Sequence, residues 1–399
     1  MAAPAQQRHW WLVPLPEVWE GVRRFCVGTE TRRLIFRATV LAVAVRIAIL
    51  GAAWLTMYII VGREGQGFSD TMHEMLQRWD ATQFIRIYDG GYRSSGELQE
   101  LIVYPPLYPY TVRLVGFVIP SFLVAGLLVS ALASVAAGYF IQAIVRVDGG
   151  DDAEASRSLW YFFVFPTAYF LAMPYTEALF MALLLGSFYF ARRGNWLLAG
   201  VLGAFCTASR ISGIILIPAL MVEALHQQAW NPRKLAPAQV AGILLAPVGF
   251  LVFLYLNYYY QGDYFAFIDY EQKNWFHHRI WPWESLKEAW EWTTQTPTGF
   301  LRTSIYEMRL AAAAITAVLL LIGTRWLRPS YQVFGWLSLL MFLSVSFQIS
   351  LPRYILTIFP MYFVLARLGR NLEVHQALLT VSTLMMGTLY VVYAYRWGF

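Results

Sequence analysis

Arg78-Trp79-Asp80-Ala81-Thr82-Gln83-Phe84-Ile85-Arg86-Ile87-Tyr88-Asp89-Gly90-Gly91-Tyr92 is a charged, aromatic segment just beyond the first long apolar run of a strongly hydrophobic chain. A carboxylate set beside a membrane span is costly unless it is solvated, paired or used. The reading of Asp80 therefore depends on whether this chain spans a membrane. Of its 399 residues 58% are hydrophobic and only 14% are charged, where a soluble domain carries about 25% charged residues. Apolar runs of about 15 to 25 residues, most bounded by Arg, point to an all-α polytopic membrane protein. About eleven spans fit, at 34–61, 118–146, 158–173, 176–191, 196–209, 212–226, 237–260, 304–324, 331–348, 354–368 and 376–395, several of them near the lower limit for crossing a core about 30 Å thick.

Positive charge orients these spans. The leader carries Arg8, Arg23, Arg24, Arg32 and Arg33, and alternate short loops carry Arg146 and Arg157, Arg192 and Arg193, Arg233 and Lys234, Arg325 and Arg328, Arg367 and Arg370. The opposite short loops hold only Arg210 and Arg353. A cytoplasmic N-terminus follows from that bias. The chain divides into a basic leader, 1–33, and a single transmembrane domain, 34–399, with long extracytoplasmic loops at 62–117 and 261–303. The leader reads equally as an interfacial helix built on Trp10, Trp11 and Trp19 or as disordered chain. The first apolar run reads as a retained anchor and not a cleaved signal. The net charge of +6 lies in these loops and forms no basic face, so no nucleic-acid partner is expected. Two cysteines, Cys26 and Cys206, make no disulfide framework or metal motif. No phosphate loop or dinucleotide fingerprint occurs.

The extracytoplasmic side collects the residues that are not span filler. Asp80, Phe84 and Ile87 fall at i, i+4, i+7, which sets a carboxylate beside apolar residues on one helical face. Such a carboxylate can take a proton from an attacking hydroxyl. Equally, it can cap a helix or pair with Arg78 or Arg86. Asp89, before Gly90-Gly91, reads as a turn residue. The prolines of Tyr104-Pro105-Pro106-Leu107-Tyr108-Pro109 stop a helix and shape the loop's return. In Pro174-Tyr175-Thr176-Glu177, Thr176 and Glu177 suit a helix start, yet an acid at membrane depth on this side is also a site candidate. Arg210 in Ser209-Arg210-Ile211-Ser212-Gly213 and Arg353 in Leu351-Pro352-Arg353-Tyr354 suit phosphate or the membrane interface. The 261–303 loop offers Trp275, Trp281, Trp283, His277 and His278, as an interfacial belt or as a platform for sugar or lipid. Adjacent His277-His278 is poor metal spacing, and no metal site is expected.

Several of these segments together resemble the PIG-V mannosyltransferases, relatives of the second mannosyltransferase of GPI-anchor assembly within the GT-C superfamily. RWDATQFIRIYDGGY is similar to that family's first-loop motif, followed by YPPLYP at its aromatic-Pro box. FPTAYFLAMPYTEALF resembles its F-P…Y-T-E-S-L-F segment, with Ala178 for Ser. ASRISG, GDYFAFI and LPRYILTIFP resemble later positions. Gln83, Tyr88 and Ile211-Ser212 depart from the usual residues. The resemblance implies a GT-C bundle and an inverting hexosyl transfer, typically of mannose, from a polyprenyl-phosphate sugar. In a bacterial member this would occur at the outer face of the cytoplasmic membrane, on a glycan, lipid or protein acceptor, with a partner subunit as in eukaryotic members. Asp80 is then the catalytic base. Arg210, with Arg353 or a His of the long loop, would stabilise the departing phosphate. Glu177 and Tyr175 would line the pocket, and Arg78, Trp79, Gln83, His277, His278 and Trp275 are the further substrate contacts expected. No cofactor is implied beyond the lipid-linked sugar, which is a substrate. A transporter or lipid flippase is the rival class; it expects ionisable groups at mid-span and paired repeats, whereas the span centres here read as mostly apolar.

Overall fold

The computed structural model describes residues 28–59, 67–299, 302–347 and 349–394. Residues 1–27 of the leader, with its tryptophans and Cys26, lie outside them. Among the described residues, regular structure is helical apart from an isolated bridge between Arg279 and Val345. In order the helices are α1 Glu30–Ile59, α2 Phe68–Leu76, α3 Asp80–Gly90, α4 Leu107–Gly116, α5 Phe122–Val147, α6 Asp152–Phe163, α7 Thr176–Arg192, α8 Trp196–Ser209 and α9 Leu216–Gln227. There follow α10 Pro237–Leu245, α11 Val248–Gln261, α12 Ala266–Trp275, α13 Pro282–Gln295, α14 Met308–Gly323, α15 Pro329–Leu343, α16 Leu351–Ile355, α17 Pro360–Leu368 and α18 Leu372–Ala394. Helix α5 packs against α1, α6 and α7; α7 packs on α8; and α8 packs on α10 and α11.

Among the described residues four helical stretches are long and apolar enough to cross a membrane: Glu30–Thr56, Phe122–Val147, Pro237–Gln261 and Leu372–Ala394. The other expected spans are short or broken. The run at 158–173 splits where α6 ends ahead of Pro166 and a 3₁₀ turn, Ala168–Ala172, follows. Helices α16 and α17 divide the run from 354 at Pro360, and even the long stretch Pro237–Gln261 is interrupted between α10 and α11 at Pro247. Proline removes a donor and clashes with the preceding turn, and hydropathy does not register that.

A broken helix inside a membrane leaves backbone groups that water cannot reach, so side chains must satisfy them. Arg46, midway along α1, does this: its Nη2 donates to the carbonyls of Ser130 at 2.8 Å and Leu171 at 2.7 Å and to Ser134 Oγ at 2.9 Å. This mid-span arginine stands against the expectation of apolar span centres. Its terminal nitrogens are engaged by carbonyls of the fold itself. Thr207 Oγ1 likewise donates to the Ala246 carbonyl at 2.8 Å, beside the α10–α11 break. There α8 and α11 touch so closely that a Cβ on Gly249 would lie 1.8 Å from the Ala204 carbonyl oxygen. Small residues at such contacts let backbones approach.

The arginine-rich loops gather at one end of the bundle. Arg33 and Arg37 meet Asp152, Arg146 meets Glu30, Arg192 meets Asp148, and Arg367 and Arg370 meet Glu154. Helix α7 carries Glu177 in its first turn and ends at Arg192, which sets the two about 22 Å apart at 1.5 Å per residue, so Glu177 sits at the other end.

Candidate active site

Helix α3 starts at Asp80 and buries Ala81, Phe84 and Ile87. The expected face is therefore the inward one. Phe84 stands edge-on to Tyr104 at 5.4 Å and to Tyr108 at 5.2 Å, which locks the helix against the Pro-aromatic loop. The residue before Asp80 is Trp79, at φ 53 and ψ −124. That conformation is costly for a bulky side chain, and such strain persists only where the surroundings enforce it. It turns the chain abruptly, so the carboxylate emerges at the first turn of the helix.

The two oxygens of Asp80 differ. Oδ2 accepts from Arg353 Nη1 at 2.6 Å. Oδ1 lies 3.5 Å from the Tyr104 hydroxyl, beyond the usual 2.5–3.0 Å of an O–H···O bond. Oδ1 thus keeps the capacity to accept from another hydroxyl. Burial, and then the Asp80 carboxylate, push the Tyr104 hydroxyl well above the usual phenol range, so Tyr104 stays a donor. The local pairings that would make Asp80 merely structural are taken by others: Arg78 bonds Glu74 at 3.1 Å, and Arg86 bonds Glu100 at 3.1 Å.

Glu177 is fully buried at the first turn of α7. Its Oε1 accepts from Arg353 Nε at 2.5 Å and from Arg210 Nη1 at 2.7 Å. Thr176 does not cap the helix; its hydroxyl accepts from Arg210 Nη1 at 2.8 Å. One ion-pair chain therefore runs Asp80–Arg353–Glu177–Arg210. Arg353 is buried, with its guanidinium 4.6 Å from the Tyr175 ring and 4.8 Å from the Phe170 ring. Arg210 lies 5.2 Å from the Tyr354 ring. Breaks in the helical backbone deliver these groups: Arg210 sits in the extended joint between α8 and a 3₁₀ turn, Ile211–Ile215, and Arg353 sits in the short helix α16.

These residues open onto a cavity of 280 Å³, near the lower end of small-ligand pockets, about 300 Å³ upward. Asp80, Arg210, Arg353 and His277 line it, together with Thr176, Ser212, Glu271 and Arg279. Ser212 Oγ is buried and has no hydrogen-bond partner among the described residues. His277 Nδ1 lies 2.6 Å from Glu271 Oε2. Glu177 and Tyr175 form the layer behind: the Tyr175 hydroxyl donates to the Arg78 carbonyl at 2.8 Å. Trp275 stands edge-on to Tyr104 at 5.9 Å.

Other expected contacts lie elsewhere. Arg78 donates to the Ala394 carbonyl and to Glu74, anchoring α18. Trp79 is exposed. Gln83 accepts from Arg86 at 2.7 Å. His278 is exposed, and its backbone N–H donates to Ser346 Oγ at 2.9 Å. No role for Glu271 or Arg279 follows from the sequence alone. The only sign of them was an acid and a cation flanking His277 in a loop rich in both. Among the described residues no three His, Cys, Asp or Glu side chains cluster to hold a metal.

A family model described as mannosyltransferase (PIG-V) matches residues 65–283. That is more than half of the chain, and it takes in Asp80, Glu177, Arg210, Glu271 and His277. No curated protein matches the chain.

Proposed function

Because the chain belongs to the PIG-V family of mannosyltransferases, and so is a membrane glycosyltransferase, we propose that it transfers mannose from a polyprenyl-phosphate donor to an acceptor hydroxyl with inversion. Asp80 is the base. The observation that carries this reading is the division of labour at its carboxylate on the cavity wall, with Oδ2 held by Arg353 and Oδ1 in only a long contact with Tyr104. The acceptor hydroxyl binds Oδ1 and gives up its proton there as its oxygen attacks the anomeric carbon. The bond from that carbon to the phosphate oxygen breaks on the opposite face. Arg353 fixes the base and Glu177 fixes Arg353. Arg210 and Arg279, both at the cavity wall, offer positive charge where negative charge builds on the leaving phosphate.

The side of the membrane follows the same logic. The ion-pair chain that lines the cavity includes Glu177, at the end of α7 opposite Arg192 and the gathering of Arg33, Arg37, Arg328 and Arg367. With those loops cytoplasmic, the site faces outward, as at the outer face of a bacterial cytoplasmic membrane. The acceptor is a glycan, lipid or protein displayed there, and a partner subunit would help present it.

The test is transfer of radiolabelled mannose by protein purified into lipid, with membrane extract as acceptor and wild type beside Asp80→Asn. Transfer by wild type with a loss of about 10² to 10⁴-fold in the variant is the expected result. Comparable turnover in a folded Asp80→Asn protein would remove Asp80 from the role of base.

A further inference from the structure

We propose that His277 is the proton donor to the departing phosphate and that Glu271 is its positioning residue. This rests on the lipid-phosphate donor just argued.

Helix α12 carries Glu271 near its end, and the chain then reverses at Phe276, which has a left-handed conformation with φ 58. The reversal folds His277 back on the helix. Its backbone N–H reaches the Glu271 carbonyl at 3.3 Å, and its ring Nδ1 lies 2.6 Å from the Glu271 carboxylate. The segment is clipped from the other side by Ser346. The Ser346 hydroxyl donates to the Phe276 carbonyl at 2.9 Å and accepts from the His278 N–H at 2.9 Å. The Ser346 N–H donates to the His278 carbonyl at 2.9 Å. Asn274 adds a third tie, to Glu100 at 3.0 Å. A histidine in an arbitrary loop has none of these supports.

Glu271 and His277 both line the cavity that holds Asp80. With Nδ1 bound to a carboxylate, ring orientation and tautomer are set. Among the described residues Nε2 has no hydrogen-bond partner, which leaves it to act on a ligand.

The chemistry asks for such a group. The donor is a phosphodiester with one negative charge. When the bond between the anomeric carbon and the phosphate oxygen breaks, the electron pair stays on that oxygen, and the lipid phosphate would leave as a dianion. The cationic wall residues Arg210 and Arg279 neutralise charge but hold no proton that can be given up. Tyr104 is held protonated by burial. The imidazolium Nε2–H of His277 passes its proton to the leaving oxygen, so the lipid phosphate departs as a monoanion. The acceptor proton goes to Asp80. One proton enters the protein and one leaves it in each turnover, and both groups reset with solvent.

The experiment compares kcat and KM on two donors for wild type, His277→Asn and Glu271→Gln, using the full chain in lipid. One donor is polyprenyl-phosphate mannose. The other carries mannose on 4-nitrophenyl phosphate, whose phosphate is a stronger acid and leaves without help. Ratios to wild type are taken within each donor, so that lost lipid contacts cancel. On the lipid donor His277→Asn should lower kcat about 100-fold with KM within a few-fold, and Glu271→Gln about 10-fold. On the nitrophenyl donor both losses should shrink to a few-fold. Equal losses on both donors would reduce the pair to a structural or phosphate-binding role, and undiminished kcat in folded variants would dismiss it. An inert wild type on both donors would instead overturn the lipid-phosphate reading, and this proposal with it. Glu271→Gln keeps the size and hydrogen bonding of the side chain, so it answers the question even where His277→Asn does not fold.

Discussion

Two buried glutamates, at opposite ends of the bundle, are built alike and finished differently. Glu177 is fully buried and held by Arg353 and Arg210; Glu223 is fully buried and held by Arg328 and Arg192. Each pair of arginines continues to an aspartate, Asp80 at one end and Asp148 at the other. Each cluster borders a cavity, of 280 Å³ and 270 Å³. Volume and charge do not separate them, but saturation does. Both oxygens of Glu223 are used, with Oε2 taking Arg328 at 3.1 Å and Ser330 at 2.6 Å. Asp148 gives one oxygen to Arg192 and the other to the Tyr331 hydroxyl at 2.9 Å. At the other end, among the described residues, Glu177 Oε2 has no hydrogen-bond partner, Ser212 Oγ has none, and Asp80 Oδ1 has only a long contact. A closed network specifies a fold, whereas incomplete satisfaction is retained where a ligand completes it.

Charge-neutral substitution of the two glutamates should split the clusters most sharply. Glu223→Gln leaves Arg192 and Arg328 short of a buried counter-ion, at a cost of about 3–5 kcal/mol. Thermal unfolding in detergent should show this, with turnover per folded molecule unchanged. Glu177→Gln should also destabilise, but its folded fraction should lose turnover by about 100-fold, because Arg353 and through it Asp80 lose their brace. Equal turnover losses in the two variants would erase the distinction between a structural and a working end.

Arg353→Lys is the next smaller effect. A guanidinium reaches Glu177 with Nε and Asp80 with Nη1, and an ammonium cannot span both in that geometry. A drop of about 10-fold in kcat with near-normal melting is expected. Arg328→Lys, the counterpart at the closed end, should move melting and leave kcat alone. Thr176→Val removes one acceptor from Arg210, worth about 1 kcal/mol. A rise in donor KM of about fivefold, without a change in kcat, would place Arg210 on the donor; a fall in kcat alone would tie it to Asp80 instead.

The contrast between the ends was only partly legible in the sequence. The i, i+4, i+7 phase of Asp80, Phe84 and Ile87 predicts the inward face of α3, because that information is local. Arg210 and Arg353 stand out because a cation among apolar residues needs a reason. Their common partner is hidden: Glu177 lies 33 residues from one and 176 from the other, and both approach it from backbone breaks. Another break, between α10 and α11, leaves no mark in hydropathy, since Pro247 sits inside a run that stays apolar throughout. Arg78 shows the converse. Its place beside Trp79-Asp80 suggests substrate contact, yet its guanidinium turns to the Ala394 carbonyl, a contact between distant parts of the chain. The pairing of Glu271 with His277 depends on a left-handed turn at Phe276 that no glycine announces.

The weakest effect tests burial itself, within the closed end. Asp152 bonds Arg37 at 2.8 Å and Arg33 at 3.2 Å, with its side chain 38% exposed. The Arg37 hydrogen bond holds its carboxyl below the usual carboxylate range, against a smaller opposing effect of burial. A carboxylate depressed by folding stabilises the fold above its unfolded value, about pH 4, and that contribution fades as pH falls through the lower folded value. Exposed pairs of this kind give about 1 kcal/mol or less. Asp152→Asn should therefore lower the melting temperature slightly at neutral pH. The gap to wild type should start to narrow below about pH 4 and close only below the lower folded value, where Asp152 is protonated in both states. It should also narrow with added salt, which screens exposed charges within about 10 Å at 0.1 M. The Glu223→Gln deficit should resist the same salt, since its ion pairs are shielded from solvent. An Asp152→Asn deficit as large and as salt-resistant as that of Glu223→Gln would mean that the number of arginine partners, and not their removal from water, sets the strength of this end.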